Sequence, residues 1–139
     1  WKQEGLVYTF TLRPDAWWVK GDEIFQVNGR PRRVTADDFI YAWMRQTLPE
    51  TGSQYSFLLD YIDGIEEFKS TTAEHWTKLL KDRAAKKLPP VARLHELGLD
   101  QRKEVEEFRR RLWEEKVGVR AVSELVLEVR LKSFVPYFL

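Results

Sequence analysis

The chain has 139 residues, 43% of them hydrophobic and 14% aromatic, which is the size and composition of a single domain with a buried core. This excludes disorder, and 23 basic against 22 acidic residues, a net charge of +1, exclude a global field for nucleic acid or an anionic membrane. With no Cys there is no disulfide or thiolate chemistry, and no apolar run reaches bilayer-spanning length.

Leu6 to Leu12 alternates, with Leu6, Tyr8, Phe10 and Leu12 on one face, and predicts a half-buried strand. Pro14-Asp15 ends it, and Trp17-Trp18 follow in a turn region. Between Glu23 and Arg33 the pair Asn28-Gly29 predicts a β-hairpin, since both central turn positions need positive φ. Pro31 restricts its second arm to an edge. Arg30, Arg32 and Arg33 then read as a solvated arm in preference to an anion site.

A helix is predicted to start after Thr35, whose side chain suits the N-cap, with Asp37 and Asp38 in the first turn where the dipole favours negative charge. Asp38 stands where a capping box has Glu or Gln, and its shorter side chain predicts a weaker bond back to the cap. Val34 and Phe39 have the spacing of a hydrophobic staple, and Phe39, Ile40 and Trp43 form the buried stripe.

Pro49 and Gly52 mark a loop, and Tyr55 to Ile62 predicts a short helix packed on the sheet. Asp63-Gly64 reads as a turn into a helix start, Ser70-Thr71-Thr72 as caps for the next helix, and Trp76, Leu79, Leu80 and Ala84 as its apolar face. Residues 81–116 form a helical insert. Within it Pro89-Pro90 break one helix and start another, Gly98 closes that one, and Asp100 caps the last. There Val105, Phe108 and Leu112 line one face, and Glu106–Arg110 and Glu107–Arg111 are i, i+4 pairs. Arg109, Arg110 and Arg111, interleaved with Glu, read as a salt-bridge-laced surface.

Val119 to Val122 and Leu125 to Leu131 predict a closing hairpin across Ser123-Glu124. Strands near both chain ends with helices between them predict an α+β fold: a small antiparallel sheet covered by helices, with the hairpin at 23–33 and the helical insert at 81–116 added.

No catalytic constellation emerges. His75 and His95 lack the spacing of a metal motif and have no Cys in support, so neither metal nor cofactor is expected. Glu66-Glu67, Glu106-Glu107 and Glu114-Glu115 are neighbours on helices, do not point together, and form no acid–base couple. The chain is therefore not expected to be an enzyme. Trp17-Trp18 is the candidate for an exposed stacking platform, with packing the favoured reading.

The run Val34-Thr35-Ala36-Asp37-Asp38-Phe39-Ile40-Tyr41-Ala42-Trp43 resembles the V-T-A-x-D-F-x-Y-x-W segment of family 5 of the bacterial extracellular solute-binding proteins, the receptors of oligopeptide and dipeptide ABC importers. Tyr8 to Arg13, Thr51-Gly52-Ser53-Gln54-Tyr55, Gly118 to Leu131 and Val135-Pro136-Tyr137-Phe138 match in the same order. The resemblance implies that residues 1–139 are one domain, the inserted domain II of a longer three-domain receptor. The missing Met and the apolar end at Phe138-Leu139 point the same way.

It further implies a parent outside the cytoplasm, in the periplasm or as a cell-surface lipoprotein. Such a parent captures a peptide or similar small solute by lobe closure and delivers it to an ABC permease in the membrane, with no nucleic acid involved. In such a receptor this domain is mainly scaffold beside the cleft. One ligand contact carries over, Tyr55 of the T-x-S-x-Y segment, although Gln54 replaces the usual Pro; the other reading of Tyr55 is a packed aromatic at a helix start. The alternative from another class is an autonomous protein–protein interaction module built on the hairpin and the insert.

Overall fold

The computed structural model describes residues 1–136; the matches at Tyr137 and Phe138 lie outside the described residues. The strands β1 (Lys2–Glu4), β2 (Val7–Thr11), β7 (Val119–Ser123) and β8 (Val126–Arg130) form one sheet in the order β1-β2-β8-β7. Every pairing is antiparallel, so the sheet joins the two ends of the chain as an α+β fold requires. Tyr8 stands opposite Val129 and Phe10 opposite Leu127, which puts the inward residues of β2 and β8 on one face.

The predicted alternation holds for Tyr8, Phe10 and Leu12, which join the core, but Leu6 is 38% exposed. The strand β1 has no hydrophobic signal, because Lys2, Gln3 and Glu4 are all exposed. A polar, Lys-bearing strand is what a sheet edge tolerates, and Gly5, at φ 61°, turns it into β2.

The helix α1 (Ala36–Thr47) lies against this sheet. Ala36 is fully buried and its N–H donates to the Glu124 carbonyl at 2.9 Å, which ties the helix start to the turn between β7 and β8. Phe39, Ile40, Trp43 and Met44 pack onto the core beside it, as the stripe predicts. Between β2 and α1 the chain makes two hairpins in place of the one expected. The strands β3 (Val19–Lys20) and β4 (Glu23–Ile24) turn at Gly21-Asp22, and β5 (Gln26–Val27) and β6 (Arg30–Pro31) turn at Asn28-Gly29. Asn28 and Gly29 have φ 52° and 73°, the predicted pair of positive values.

The helix α2 (Ile65–Ala85) runs straight through Ser70-Thr71-Thr72, which therefore cap nothing. Their hydroxyls turn back onto the helix instead: Ser70 donates to the Glu67 carbonyl, and Thr72 to those of Phe68 and Lys69. The segment after Pro89-Pro90 is a single 3₁₀ turn, Leu94–Glu96, and not a helix. Gly98 opens α3 (Leu99–Lys116) instead of closing its predecessor, and Asp100 lies in its first turn. Residues 55–62 likewise form only a 3₁₀ turn, Ser56–Leu59, from which Leu59 and Ile62 reach the core while Phe57 and Leu58 stay exposed.

Among the described residues two apolar clusters result. The larger, under the sheet, includes Tyr8, Ile62, Ile65, Phe68, Trp113, Val129 and Leu131, with Phe68 edge-on to Trp113 at 5.1 Å. The smaller joins Trp76 of α2 to Leu97 and to Val105 of α3, so the 81–116 segment is packed back onto α2.

Gly64 locks these parts together. It has φ 78°, and a Cβ there would stand 1.9 Å from the Lys116 carbonyl oxygen, which is backbone and cannot step aside. Around it the Asp63 N–H donates to the Arg130 carbonyl at 3.0 Å, and the Gly118 N–H to the Asp63 carbonyl at 2.8 Å. Gly64→Ala should therefore destabilise the domain by about 3 kcal/mol or more, combining an unfavourable φ with overpacking. Urea denaturation of the two proteins checks this; an unchanged midpoint would refute it.

Candidate functional site

Three pieces of chain surround a shallow cleft of about 590 Å³: Trp18 from the hairpin region, Asp38, Tyr41, Arg45 and Gln46 from α1, and Thr51 and Ser53 from the loop after it. Helical spacing brings Asp38, Tyr41 and Arg45 to one side of α1, opposite the stripe that faces the core. Trp18 is 46% and Tyr41 66% exposed, so two aromatic faces line the opening.

Asp38 builds the wall between hairpin and helix. Its Oδ2 accepts from the Thr35 N–H at 2.8 Å and from the Trp18 indole N–H at 3.1 Å, and its Oδ1 accepts from Arg32 Nη2 at 2.6 Å. The capping box thus forms, and its Asp38 half, expected to be the weaker, is the well-made one. Arg32 also donates to the carbonyl of Arg33, and Arg33 lies over the Trp17 ring at 5.2 Å. The three arginines are therefore no anion site: two are engaged in holding the hairpin, and Arg30 is exposed on its arm.

Tyr55, the residue singled out for ligand contact, stands at the far end of the loop and is 64% exposed, so it is not a packed aromatic. The loop backbone is held from α1, where Gln46 Nε2 donates to the Tyr55 carbonyl at 3.1 Å, and from within, where the Tyr55 N–H donates to Ser53 Oγ at 3.3 Å. The Tyr55 phenol can donate to a carbonyl or accept from an ammonium group. Exposed aromatics, an amide, hydroxyls and a cation suit non-covalent recognition of a polar ligand.

The histidines stand apart from this cleft: His75 stacks on Phe108 at 4.1 Å, and His95 sits in the 3₁₀ turn Leu94–Glu96. Among the described residues no three His, Cys, Asp or Glu side chains converge as a metal set. On α3 the surface pairs differ in detail from those predicted. Arg111 meets Glu107 as expected, Glu106 takes Arg102, and Arg110 reaches Glu107 and Glu114.

Arg109 does not belong to that surface at all. It is 2% exposed, and Nη1 and Nη2 donate to the Glu50 carboxylate at 2.7 and 3.0 Å. The sequence contains a signal for this: Arg109 falls midway between Val105 and Trp113 on the buried stripe.

The model of a family described as "Bacterial extracellular solute-binding proteins, family 5 Middle" matches residues 1–139. The periplasmic oligopeptide-binding protein OppA of Escherichia coli is 29% identical over 138 residues, 98% of this chain and 16% of that protein. The hairpin at 23–33 and the segment at 81–116 both lie inside that span. A dipeptide-binding protein of Lactococcus lactis is 35% identical over 68 residues, 49% of this chain and 10% of the relative. The solved structure of the murein tripeptide binding protein MppA of Escherichia coli is 25% identical with a TM-score of 0.53, over 99% of this chain and 18% of that one. The chain thus spans less than about a fifth of each relative.

The Asp38 carboxyl lies below 3.8, the usual value. Partial burial, the largest influence, raises it, but the Thr35 N–H, the Trp18 indole, the Arg32 cation and the Thr35 hydroxyl together outweigh burial. A depressed carboxylate contributes stability above its unfolded pKa and loses it as pH falls through the folded one. The Trp18 indole N–H resonance should therefore hold steady at neutral pH and shift with a midpoint below pH 3.8. The same titration on Asp38→Asn should show no such shift, and a shift near pH 5 in the unmutated chain would refute the assignment.

Proposed function

Since this chain belongs to the bacterial extracellular solute-binding proteins of family 5, we propose that it is the inserted domain II of a receptor that captures peptides or similar small solutes outside the cytoplasm. The parent acts in the periplasm or as a cell-surface lipoprotein, and it hands its cargo to an ABC permease. Capture is non-covalent, and no reaction is catalysed. Within the parent this domain is mainly scaffold beside the cleft, with Tyr55 as its contact at the rim.

The observation that carries this reading is the family match along residues 1–139, together with relatives named for dipeptides, oligopeptides and a murein tripeptide. Tyr55 supports the finer part because it is presented to solvent on a backbone held at both ends. A second reading, an autonomous interaction module, draws on the two hairpins, where Val19, Ile24, Phe25 and Val27 are all more than a third exposed.

Calorimetry of the full-length parent with di-, tri-, tetra- and penta-alanine tests the first reading. Micromolar or tighter binding is expected for at least one, and none for residues 1–139 alone, whose folding circular dichroism checks in parallel. Tyr55→Phe in the parent should weaken binding about two- to tenfold, the worth of one hydrogen bond. Tight peptide binding by residues 1–139 alone would overturn the scaffold reading.

A further inference from the structure

Arg109 is a charged side chain at a position where an apolar one would serve. It lies on the buried face of α3, and the side chains of Arg109 and Glu50 are 3% and 7% exposed. Its guanidinium lies over the Trp76 ring at 5.6 Å. Stability alone does not account for so dry a pair. Removing two charges from water costs about as much as their attraction returns, and apolar residues of similar volume often do as well or better. What a bidentate Arg–carboxylate pair adds is direction, because the planar fork fixes both the distance and the plane of the carboxylate.

The element so directed is the loop bearing Tyr55. Glu50 sits in the middle of the 3₁₀ turn Pro49–Thr51, where the chain leaves α1. From that turn the chain passes Gly52, at φ 58°, whose N–H donates to the Pro49 carbonyl at 3.2 Å; the Ser56 N–H then closes on the Ser53 carbonyl at 3.4 Å. Thr51, Gly52, Gln54 and Tyr55 are exposed, so packing does little to hold them. Gln46 restrains the loop from α1, and Arg109 restrains it from α3 through Glu50.

We propose that the Arg109–Glu50 pair is a positioning device for ligand contact, holding the 51–55 loop from beneath so that Tyr55 meets the solute in one fixed place. Neither residue touches the solute. The inference rests on the reading of Tyr55 as a rim contact. It makes α3, remote in sequence from the loop, a determinant of affinity.

The test is a mutant cycle in the full-length parent, read as the Kd for whichever of the four alanine peptides binds most tightly. Arg109→Lys keeps the charge and loses the fork, and the pair Glu50→Leu with Arg109→Met replaces both charges by apolar groups. Thermal melts accompany each. Either change should weaken peptide binding by about fivefold, the lower end of typical coupling between sites. The paired variant should keep its melting temperature. Both effects should vanish when Tyr55 is already replaced, in Tyr55→Ala, because nothing is then left to position.

Unchanged affinity in both variants, with Tyr55→Ala still weakening binding, would overturn the inference and leave the rim contact standing. The same loss with and without Tyr55 would reduce the pair to a general structural element and also overturn it. No effect of Tyr55→Ala would remove the rim contact itself, and the inference with it.

Discussion

The rest of the structure depends on one close approach of backbone to backbone, at Gly64. There the start of α2 passes the end of α3 so tightly that the Lys116 carbonyl occupies the space of a side chain. Three hydrogen bonds knit the crossing: Asp63 to Arg130, Gly118 to Asp63, and Arg130 back to Gly118, the last at 2.6 Å. Side chains repeat the pattern from outside, Arg130 pairing with Asp63 and Lys132 with Glu66, both within 3 Å. These outer pairs are solvated and contribute little. The backbone bonds and the missing side chain set the geometry, because a backbone carbonyl has no rotamer to move out of the way.

From that crossing the remaining placements follow in order. The chain after Gly118 enters β7 and returns as β8, which receives β2 on its other side. The turn between β7 and β8 presents the Glu124 carbonyl to the first N–H of α1, so the sheet decides where that helix begins. With its stripe held on the core, the opposite side of α1 must carry Asp38, Tyr41 and Arg45 outward. The cleft is thus a consequence of how the helix is seated, and the hairpins close it through the bonds that Trp18 and Arg32 make to Asp38.

What is legible in the sequence is whatever depends on local chemistry or on period. The N-cap at Thr35, the turn at Asn28-Gly29 and the alternation through Tyr8 and Phe10 are determined within a few residues, and all appear where expected. The failures share a different cause. Ser70-Thr71-Thr72 carries the chemistry of a cap, but a helix already anchored at Gly64 and packed through Phe68 and Trp76 has no reason to restart. Gly98 suits either end of a helix, and only the packing of Leu97 against Trp76 decides which. Lys2 to Glu4 forms a strand solely because β2 lies beside it. Arg109 reads with its charged neighbours in sequence, whereas its partner is the distant Glu50. At the candidate site Tyr55 is singled out by resemblance, and the loop bonds that present it are invisible to pattern.

The sheet brings segments near the two ends of the chain into direct contact, since β2 and β8 are paired along their length and the Leu131 N–H reaches the Leu6 carbonyl. Leu6 and Leu131 are thereby held apart by little more than the spacing of neighbouring strands, about 4.8 Å. A change of length in any loop between them would leave that spacing untouched, because the β2–β8 pairing alone sets it.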